Sequence, residues 1–297
     1  MESCLTLPER SSILVNMNKL SKDKQIRVLS ALVEGCSIRA TVRMTGVAKN
    51  TIVKLLAEIG AACEAYQNKT LRDLPCARIQ CDEIWSFCHA KEKNVPDQFK
   101  GKFGHGVVWT WVAMDSESKL VVSWLVGRRD AVYAHEFMRD VASRLSSRVQ
   151  LTTDGLNSYL SAVREAFHDD IDFAQLVKLY GEASSTGEAR YSPPQCMGCR
   201  RNAVSGSPDV RYISTSHIER QNLTMRMSMR RFTRLTNAFS KKIENLQYAV
   251  ALHFMHYNFC RIHQTLRMTP AMACAVTDKV WSLDDVLSLL DQEKISN

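Results

Sequence analysis

The sequence lacks a long apolar run. It has no stretch of about 18 apolar residues, the shortest that reads as a membrane-spanning helix, and no charged leader followed by an apolar segment. It also has no internal repeat and no low-complexity segment. We therefore expect a globular protein in the cytoplasm, with no membrane partner.

Acidic residues are missing from one stretch of the chain. No Asp or Glu occurs between Arg220 and Lys242, where seven basic residues stand. The chain of 297 residues carries a net charge of +8, with an isoelectric point near 9.0. Both features favour an anionic partner such as nucleic acid. The seven residues are Arg220, Arg226, Arg230, Arg231, Arg234, Lys241 and Lys242.

Cysteines at metal-binding spacing are scarce. Ten cysteines are scattered along the chain, mostly singly in apolar segments, which predicts reduced thiols in a cytoplasmic protein. Cys196 and Cys199 form a Cys-x-x-Cys motif without the second ligand pair that a structural zinc needs. We therefore do not expect zinc there.

Helical periodicity is clear near the N-terminus. It predicts helices over 21–35, 37–44 and about 48–59, the last two joined by a short turn at 45–47. This layout is typical of a helix-turn-helix domain, and the alternative is a plain three-helix bundle. The exposed head of the third helix then supplies the DNA-binding candidates Lys49, Asn50, Thr51 and Lys54.

The following segment alternates strands and helices. Strands are predicted over 78–87, 106–114, 120–126, 149–153 and 173–179, and helices over 132–145 and 158–167. Three strands followed by alternating helix and strand predict an α/β fold, a ribonuclease-H-like mixed sheet with flanking helices.

The predicted domains follow from these elements. A helix-turn-helix domain covers 1–60, a linker 61–75, a catalytic domain 76–264, and a helical tail 265–297. Residues 181–210, which are rich in Gly, Ser and Pro, are predicted to form a loop inserted in the catalytic domain.

Three acids far apart in sequence are expected to converge. Asp82 lies on the first strand, Asp154 at the end of the fourth, and Glu219 on a helix against the sheet. Carboxylates brought together repel one another and need a cation, and two Mg²⁺ ions would meet that need. Such ions bind the attacking and leaving oxygens of a phosphodiester together. The acids therefore predict both a metal site and catalysis.

Glu83 and Asp115 are the rival metal ligands. Side chains alternate between the faces of a strand, so Glu83 is expected on the face opposite Asp82.

A basic face accompanies Glu219. Arg226 follows it by seven residues, about two helical turns, so both side chains project from nearly one face. We expect Arg226, with Arg230, Arg231 and Arg234, to bind DNA phosphates.

These segments are similar to the DDE transposases of bacterial insertion sequences, specifically the insertion-sequence-one-like group. The resemblance covers roughly residues 76–290. It departs from the best-known members at the N-terminus, where they carry a cysteine-rich zinc motif, and in its longer interval between Asp154 and Glu219. The matching motifs are 81–87 (CDEIWSF), 152–155 (TTDG), 217–222 (HIERQN), 230–240 (RRFTRLTNAFS), 257–259 (YNF) and 269–272 (TPAM).

The resemblance implies a ribonuclease-H-like core that uses Mg²⁺, with Mn²⁺ as the other candidate ion. It also implies cleavage of double-stranded DNA at transposon ends, strand transfer through a 3′-hydroxyl, and a homo-oligomer that joins two ends on the nucleoid. By the resemblance Asp82, Asp154 and Glu219 are the catalytic acids. Two alternatives stay open: a catalytically inert DNA-binding regulator derived from a transposase, and a nuclease without strand transfer.

Overall fold

The computed structural model describes residues 20–168, 170–181, 196–233 and 236–295. In these ranges, no helix combines the length and the apolar composition needed to cross a membrane.

Three helices open the described chain: α1 (Lys22–Val33), α2 (Ile38–Thr45) and α3 (Lys49–Thr70). Ser37 caps α2 by accepting a hydrogen bond from the backbone N–H of Ala40 at 3.1 Å. Gly46 ends α2 with φ +69°, a left-handed conformation that glycine adopts without a steric penalty. The predicted all-α N-terminal part is present.

Helix α3 does not end at Ile59 as the periodicity predicted. It continues to Thr70, because its second half packs on α7 (Ile243–Met255). A Cβ atom on Gly60 would lie only 2.4 Å from Cβ of Tyr248, so the two helices cross at close approach. Gln67 is buried and donates to the carbonyl of Ala251 at 3.1 Å. The predicted boundary at residue 60 thus falls inside a helix, and the division into domains stays a prediction.

A mixed sheet forms the centre of the molecule. Its strands run in the order β3-β2-β1-β4-β5-β6, with β1–β4 and β4–β5 parallel and the other neighbours antiparallel. This is the ribonuclease-H-like order, as predicted. The strands are β1 (Arg78–Cys88), β2 (Gly106–Asp115), β3 (Val121–Gly127), β4 (Gln150–Asp154), β5 (Asp172–Tyr180) and β6 (Cys196–Ser205).

Strand β6 corrects the prediction of a loop over 181–210. It pairs with β5 through the backbone and is exposed along most of its length. An edge strand of this kind buries too little of either face to show apolar alternation, so its sequence carries no strand signal. Residues 182–195 of the predicted loop lie outside the described ranges.

Helices cover both faces of the sheet. On one face lie α4 (Ala131–Arg144) and α5 (Ser158–Phe167), packed around Trp111, Phe137 and Tyr159. On the other face lie α6 (Ser216–Ser228) and α7, where Trp124 packs on Phe254. A π-helical turn follows α7, and then α8 (Pro270–Ala273) and α9 (Leu283–Ile295).

One apolar core joins the N-terminal helices to the sheet. Leu29 of α1 and Leu56 of α3 belong to the same buried cluster as Ile79 and Trp111 of the sheet and Val286 of α9. The middle of α3 thus packs with the sheet, whereas Ile52 and Leu55 nearer its head belong to a smaller separate cluster with Val28 and Val47.

Candidate active site

Asp82 and Asp154 meet on neighbouring parallel strands. Their preceding residues, Cys81 and Thr153, are register partners, so the two acids lie side by side where β4 ends. Burial and the charges of Asp154 and Glu219 raise the pKa of Asp82 to about 6. Such a raised pKa is the physical sign of carboxylates held together without enough positive charge.

Glu219 reaches the same place from the first turn of α6. Gln80 of β1 fastens this helix by accepting hydrogen bonds from the backbone N–H groups of His217 and Ile218 at 3.0 and 3.1 Å. One turn after Glu219, Asn222 donates to Oδ2 of Asp82 at 2.9 Å. These hydrogen bonds thus hold the start of α6 against β1, the strand that carries Asp82.

The three predicted acids line one cleft of about 570 Å³, here called the carboxylate cleft. Arg129, from the segment after β3, and Lys178 of β5 line it too. Sequence reasoning brought the acids together correctly but missed both cations. Neither stood in a recognised motif.

Glu83 also belongs to this cluster. It faces α4 and α5, as alternation predicted, because its cross-strand partner is Trp111, whereas Gln80 and Asp82 face α6. Even so, ligand oxygens of Asp82, Glu83 and Asp154 lie within 4.8 Å of one another. Facing the other side of the sheet therefore does not remove Glu83 from the site.

The environment of Glu83 is tightly specified. The Tyr159 hydroxyl donates to Oε1 at 2.5 Å, and Nε of Arg129 donates to Oε2 at 3.0 Å. Burial and the charge of Asp154 raise the pKa of Glu83 to about 7. Glu83 is thus the most shielded carboxyl of the cluster, with two donors holding it in place.

Asp115, the other rival, has a different role. Its Oδ2 accepts hydrogen bonds from the N–H and the hydroxyl of Ser118, at 2.7 and 2.6 Å, in the turn between β2 and β3. Asp115 orders that turn and does not line the carboxylate cleft.

Two cations balance the acids. Arg129 bridges Glu83 and Asp154, at 3.0 and 3.4 Å, and lies over the ring of Trp109. Lys178 pairs with Glu219 at 2.6 Å, and this pairing outweighs burial and raises the pKa of the lysine. Glu219 also accepts a hydrogen bond from the Thr215 hydroxyl at 2.5 Å.

The donor set fits a hard divalent cation. Every candidate ligand is a carboxylate oxygen, the type that Mg²⁺ and Mn²⁺ prefer. Asp82, Glu83 and Asp154 are close enough to share one ion, and Glu219 lines the same cleft. A bound cation would also relieve the repulsion that raises the pKa values of Asp82 and Glu83.

A second concave surface lies where the head of α3 meets the chain after α6. This groove of about 800 Å³, here called the basic groove, brings together Lys49, Asn50, Arg230 and Arg231. These are four of the eight predicted DNA-binding residues, from two segments far apart in sequence. The groove is also lined by Arg39, Lys241 and Lys242, and by no acid among the described residues.

Arg231 is the most shielded cation of the basic groove. Its Nε donates to the Ser240 hydroxyl at 2.8 Å, and burial lowers its pKa to about 10. It has no carboxylate partner among the described residues. A guanidinium held this way offers its remaining donors to an anion in the groove.

The other predicted DNA-binding residues lie elsewhere. Thr51 and Lys54 do not line the groove, and Lys54 pairs with Glu58 at 3.8 Å. Arg226 donates to the carbonyl of Phe232 at 3.0 Å and lies over the ring of Trp85. Arg226 thus fastens the end of α6 to the following turn. Arg234 is outside the described residues.

Cys196 and Cys199 lie on β6, and both are exposed. A register shift between them breaks the strand alternation, and they pair with Tyr180 and Lys178 of β5. The group of potential metal ligands found in the described part of the chain is the acidic one, without these cysteines.

Comparison with known proteins identifies the domain that carries Asp154. Residues 99–182 match the family model DDE_Tnp_IS240, which describes a DDE domain. No curated protein matches the chain.

Among solved structures, the chain is similar to a piggyBac transposase synaptic complex with hairpin DNA and to the Mos1 strand transfer complex. The first is 10% identical with a TM-score of 0.39, covering 94% of this chain and 74% of that one. The second is 12% identical with a TM-score of 0.23, covering 86% and 78%. The identification of a DDE domain rests on the family match and the site geometry rather than on these structural likenesses. The narrower resemblance to the insertion-sequence-one-like group stays a prediction. Residues 99–182, which include Asp154, are thus similar to the DDE domain of insertion-sequence transposases.

Proposed function

We propose that the protein cleaves double-stranded DNA at the ends of an insertion sequence and transfers the 3′-hydroxyl into target DNA. The observation that carries the proposal is the convergence of Asp82, Asp154 and Glu219 in one cleft, at one end of a helix whose other end leads into a basic groove. One helix thus connects the acids that can hold a divalent cation with a surface suited to phosphates.

Asp82, Asp154 and Glu219 would hold the metal, with Mg²⁺ as the expected ion and Mn²⁺ as a substitute. When bound, such ions lower the pKa of an attacking water or 3′-hydroxyl and stabilise the charge that develops at the phosphate. The protein itself positions the acids: Asn222 orients Asp82, and Thr215 orients Glu219.

Arg129 and Lys178 supply positive charge beside the acids. Each lies within ion-pairing distance of a carboxylate that would hold the metal. Both side chains also line the cleft, where a DNA phosphate could accept hydrogen bonds from them.

The basic groove would bind the transposon end. Asn50 at the head of α3 has the donor and acceptor that read an adenine edge, and the surrounding cations hold phosphates. Two ends and a target must meet for transposition, so we expect the protein to act as a homo-oligomer.

Neutralising the acids one at a time tests the proposal. Asp82→Asn, Asp154→Asn and Glu219→Gln keep the side-chain size and remove one charge. Each should lower cleavage of end DNA in Mg²⁺ by at least about a thousandfold, because a positioned metal supplies several kcal/mol. Binding to the same DNA in a gel-shift assay should persist.

The matched control is Asp97→Asn, the same change at an exposed acid outside the carboxylate cleft. It should cleave like the parent. Parental rates in all three cleft variants would contradict the catalytic assignment. A parent that binds ends but cleaves nothing in Mg²⁺ or Mn²⁺ would instead identify a DNA-binding regulator.

A further inference from the structure

A second cavity lies on the side of α6 that faces away from the carboxylate cleft. This cavity of about 430 Å³, here called the rear pocket, opens between α6, the turn after β2 and the chain after α7. Glu219 and Thr215 line the carboxylate cleft, whereas His217 and Arg220 line the rear pocket. One helix thus separates two sites of opposite character.

Three cations and no acid stand among the described residues that line the rear pocket. Lys119 comes from the turn after β2, Arg220 from α6, and Arg261 from the chain after α7, beside His263. Burial and the charges of Lys119 and Arg261 lower the pKa of His263, as expected in a positive potential. Such a potential favours an anionic ligand.

Several hydrogen-bond donors around the rear pocket have no acceptor. Gln221 is only 2% exposed, yet its Nε2 has no partner among the described residues. The guanidinium groups of Arg220 and Arg261 likewise make no hydrogen bond or ion pair within the described ranges. Both arginines are exposed and can be solvated, whereas the buried Nε2 of Gln221 without an acceptor costs free energy, so a ligand that supplies acceptors is favoured there.

A phosphate group fits these requirements. Its oxygens accept hydrogen bonds and carry negative charge, and arginine donors match its geometry. The outer residues Ile262, Gln264 and Thr265 are exposed, so a ligand seated in the cavity can extend into solvent as a polymer does.

We propose that the rear pocket binds a phosphate of a DNA strand passing behind α6, separately from the strand at the carboxylates. The choice of DNA rests on the function proposed above. The rear pocket would then be an additional DNA-binding site next to Glu219, distinct from the basic groove and from the carboxylate cleft.

The test uses full-length protein, a random-sequence DNA duplex and no metal ion. Binding is measured over a range of salt concentrations for the parent and for Arg261→Gln. Each lost phosphate contact lowers the slope of log K against log salt by about one unit, so the slope should fall by about one in Arg261→Gln. Unchanged melting temperatures would show that the variant folds.

Arg164→Gln is the charge-matched control, since Arg164 is exposed on α5 and has no partner among the described side chains. Its slope should equal that of the parent. Equal slopes for the parent and Arg261→Gln would overturn the proposal, and so would an equal fall in both variants, which would show a net-charge effect.

Inorganic phosphate separates the two sources of the ligand. Calorimetric titration with phosphate should show weaker binding to Arg261→Gln than to the parent, alongside the changed DNA slope. Phosphate binding that depends on Arg261 with an unchanged DNA slope would make this a free-phosphate site and overturn the proposal. Neither measurement needs cleavage, so a protein that cleaves no DNA would refute the proposed function without deciding this one.

Discussion

The carboxylate cleft and the basic groove lie near opposite ends of α6, and the protein balances their charges differently. In the cleft every acid has an internal partner: Arg129 for Glu83 and Asp154, Asn222 for Asp82, and Lys178 for Glu219. In the groove the cations of 230–242 and of the head of α3 face one another without an acid. The carboxylate cleft therefore has partners for its acids from its own side chains. The basic groove carries positive charge that an anionic ligand would neutralise.

Their supports differ as well. Asp82, Glu83 and Asp154 lie on central strands, just past the point where the pairing of β1 with β4 ends. The groove is built from helix ends and a connecting segment. The acids are therefore placed by the sheet, and the groove cations by the segments around it.

After the three acid variants described above, the largest effect is expected in the cleft, from Glu83→Gln. Glu83 holds Arg129, so neutralising it frees Arg129 to pair with Asp154 and compete with the metal. Cleavage of end DNA should fall by about 10- to 100-fold, the usual cost of losing a group that orients metal ligands.

The measurement is a cleavage time course in saturating Mg²⁺, with Asp82→Asn beside it. A loss as deep as that of Asp82→Asn would make Glu83 a direct metal ligand. Full activity would show that Glu83 neither binds the metal nor orients its ligands.

On the groove side, Asn50→Ala should weaken binding to the correct DNA end by about 1 to 3 kcal/mol and binding to unrelated DNA much less, because a base contact carries sequence information. Fluorescence anisotropy with both DNAs measures this. Thr51→Ala, one residue further along α3 and outside the groove, is the matched control. Equal losses on both DNAs would show that Asn50 contacts only the backbone.

The cleft should also respond to pH when no metal is bound. The pKa values of Asp82 and Glu83, about 6 and 7, lie above their ordinary values, so the folded state binds more protons than the unfolded state. Stability is then greatest below the ordinary pKa values and falls as pH rises through 6 to 7. Melting temperatures should drop by several degrees between about pH 5 and 8, and Mg²⁺ should restore them at pH 8. A melting temperature of the metal-free parent that rises with pH over this interval would contradict the assignment.

The smallest effect is expected from Lys178→Met. This lysine competes with metal for Glu219, and a partly exposed ion pair contributes only about 0.2 to 1 kcal/mol. The Mg²⁺ concentration for half-maximal cleavage should therefore fall by a few-fold at most. Lys178→Arg keeps the charge and should behave like the parent. A higher Mg²⁺ requirement in Lys178→Met would mean that the lysine supports the site rather than competing for it.

The sequence predicted the parts of the site that depend on local pattern. Asp82 and Asp154 stand on apolar strands with strong periodicity, and the strand order follows from the alternation of strands and helices. Glu219 was placed because it opens a helix in a distinctive motif. The meeting of these three acids in one cleft could thus be inferred before any coordinates.

The remaining parts depend on tertiary packing. Arg129 and Lys178 were missed because their meaning comes only from the acids that surround them. Arg39 joins the basic groove from α2, which no spacing rule links to 230–242. Strand β6 was missed because an exposed edge strand is specified by backbone pairing. Glu83 was correctly named as a rival ligand on the face opposite Asp82, but alternation alone could not show that its oxygens lie so close to those of Asp82 and Asp154.

Helix α6 sets the distance between these two surfaces. Its 13 residues make a rod of about 20 Å, with Glu219 in its first turn and Arg230 and Arg231 just after its end. Asn222 holds it to Asp82, and Arg226 holds its end to Phe232. Under the proposed function, the number of base pairs between the sequence bound in the basic groove and the cut bond would then be fixed by the length of a helix rather than by a flexible tether.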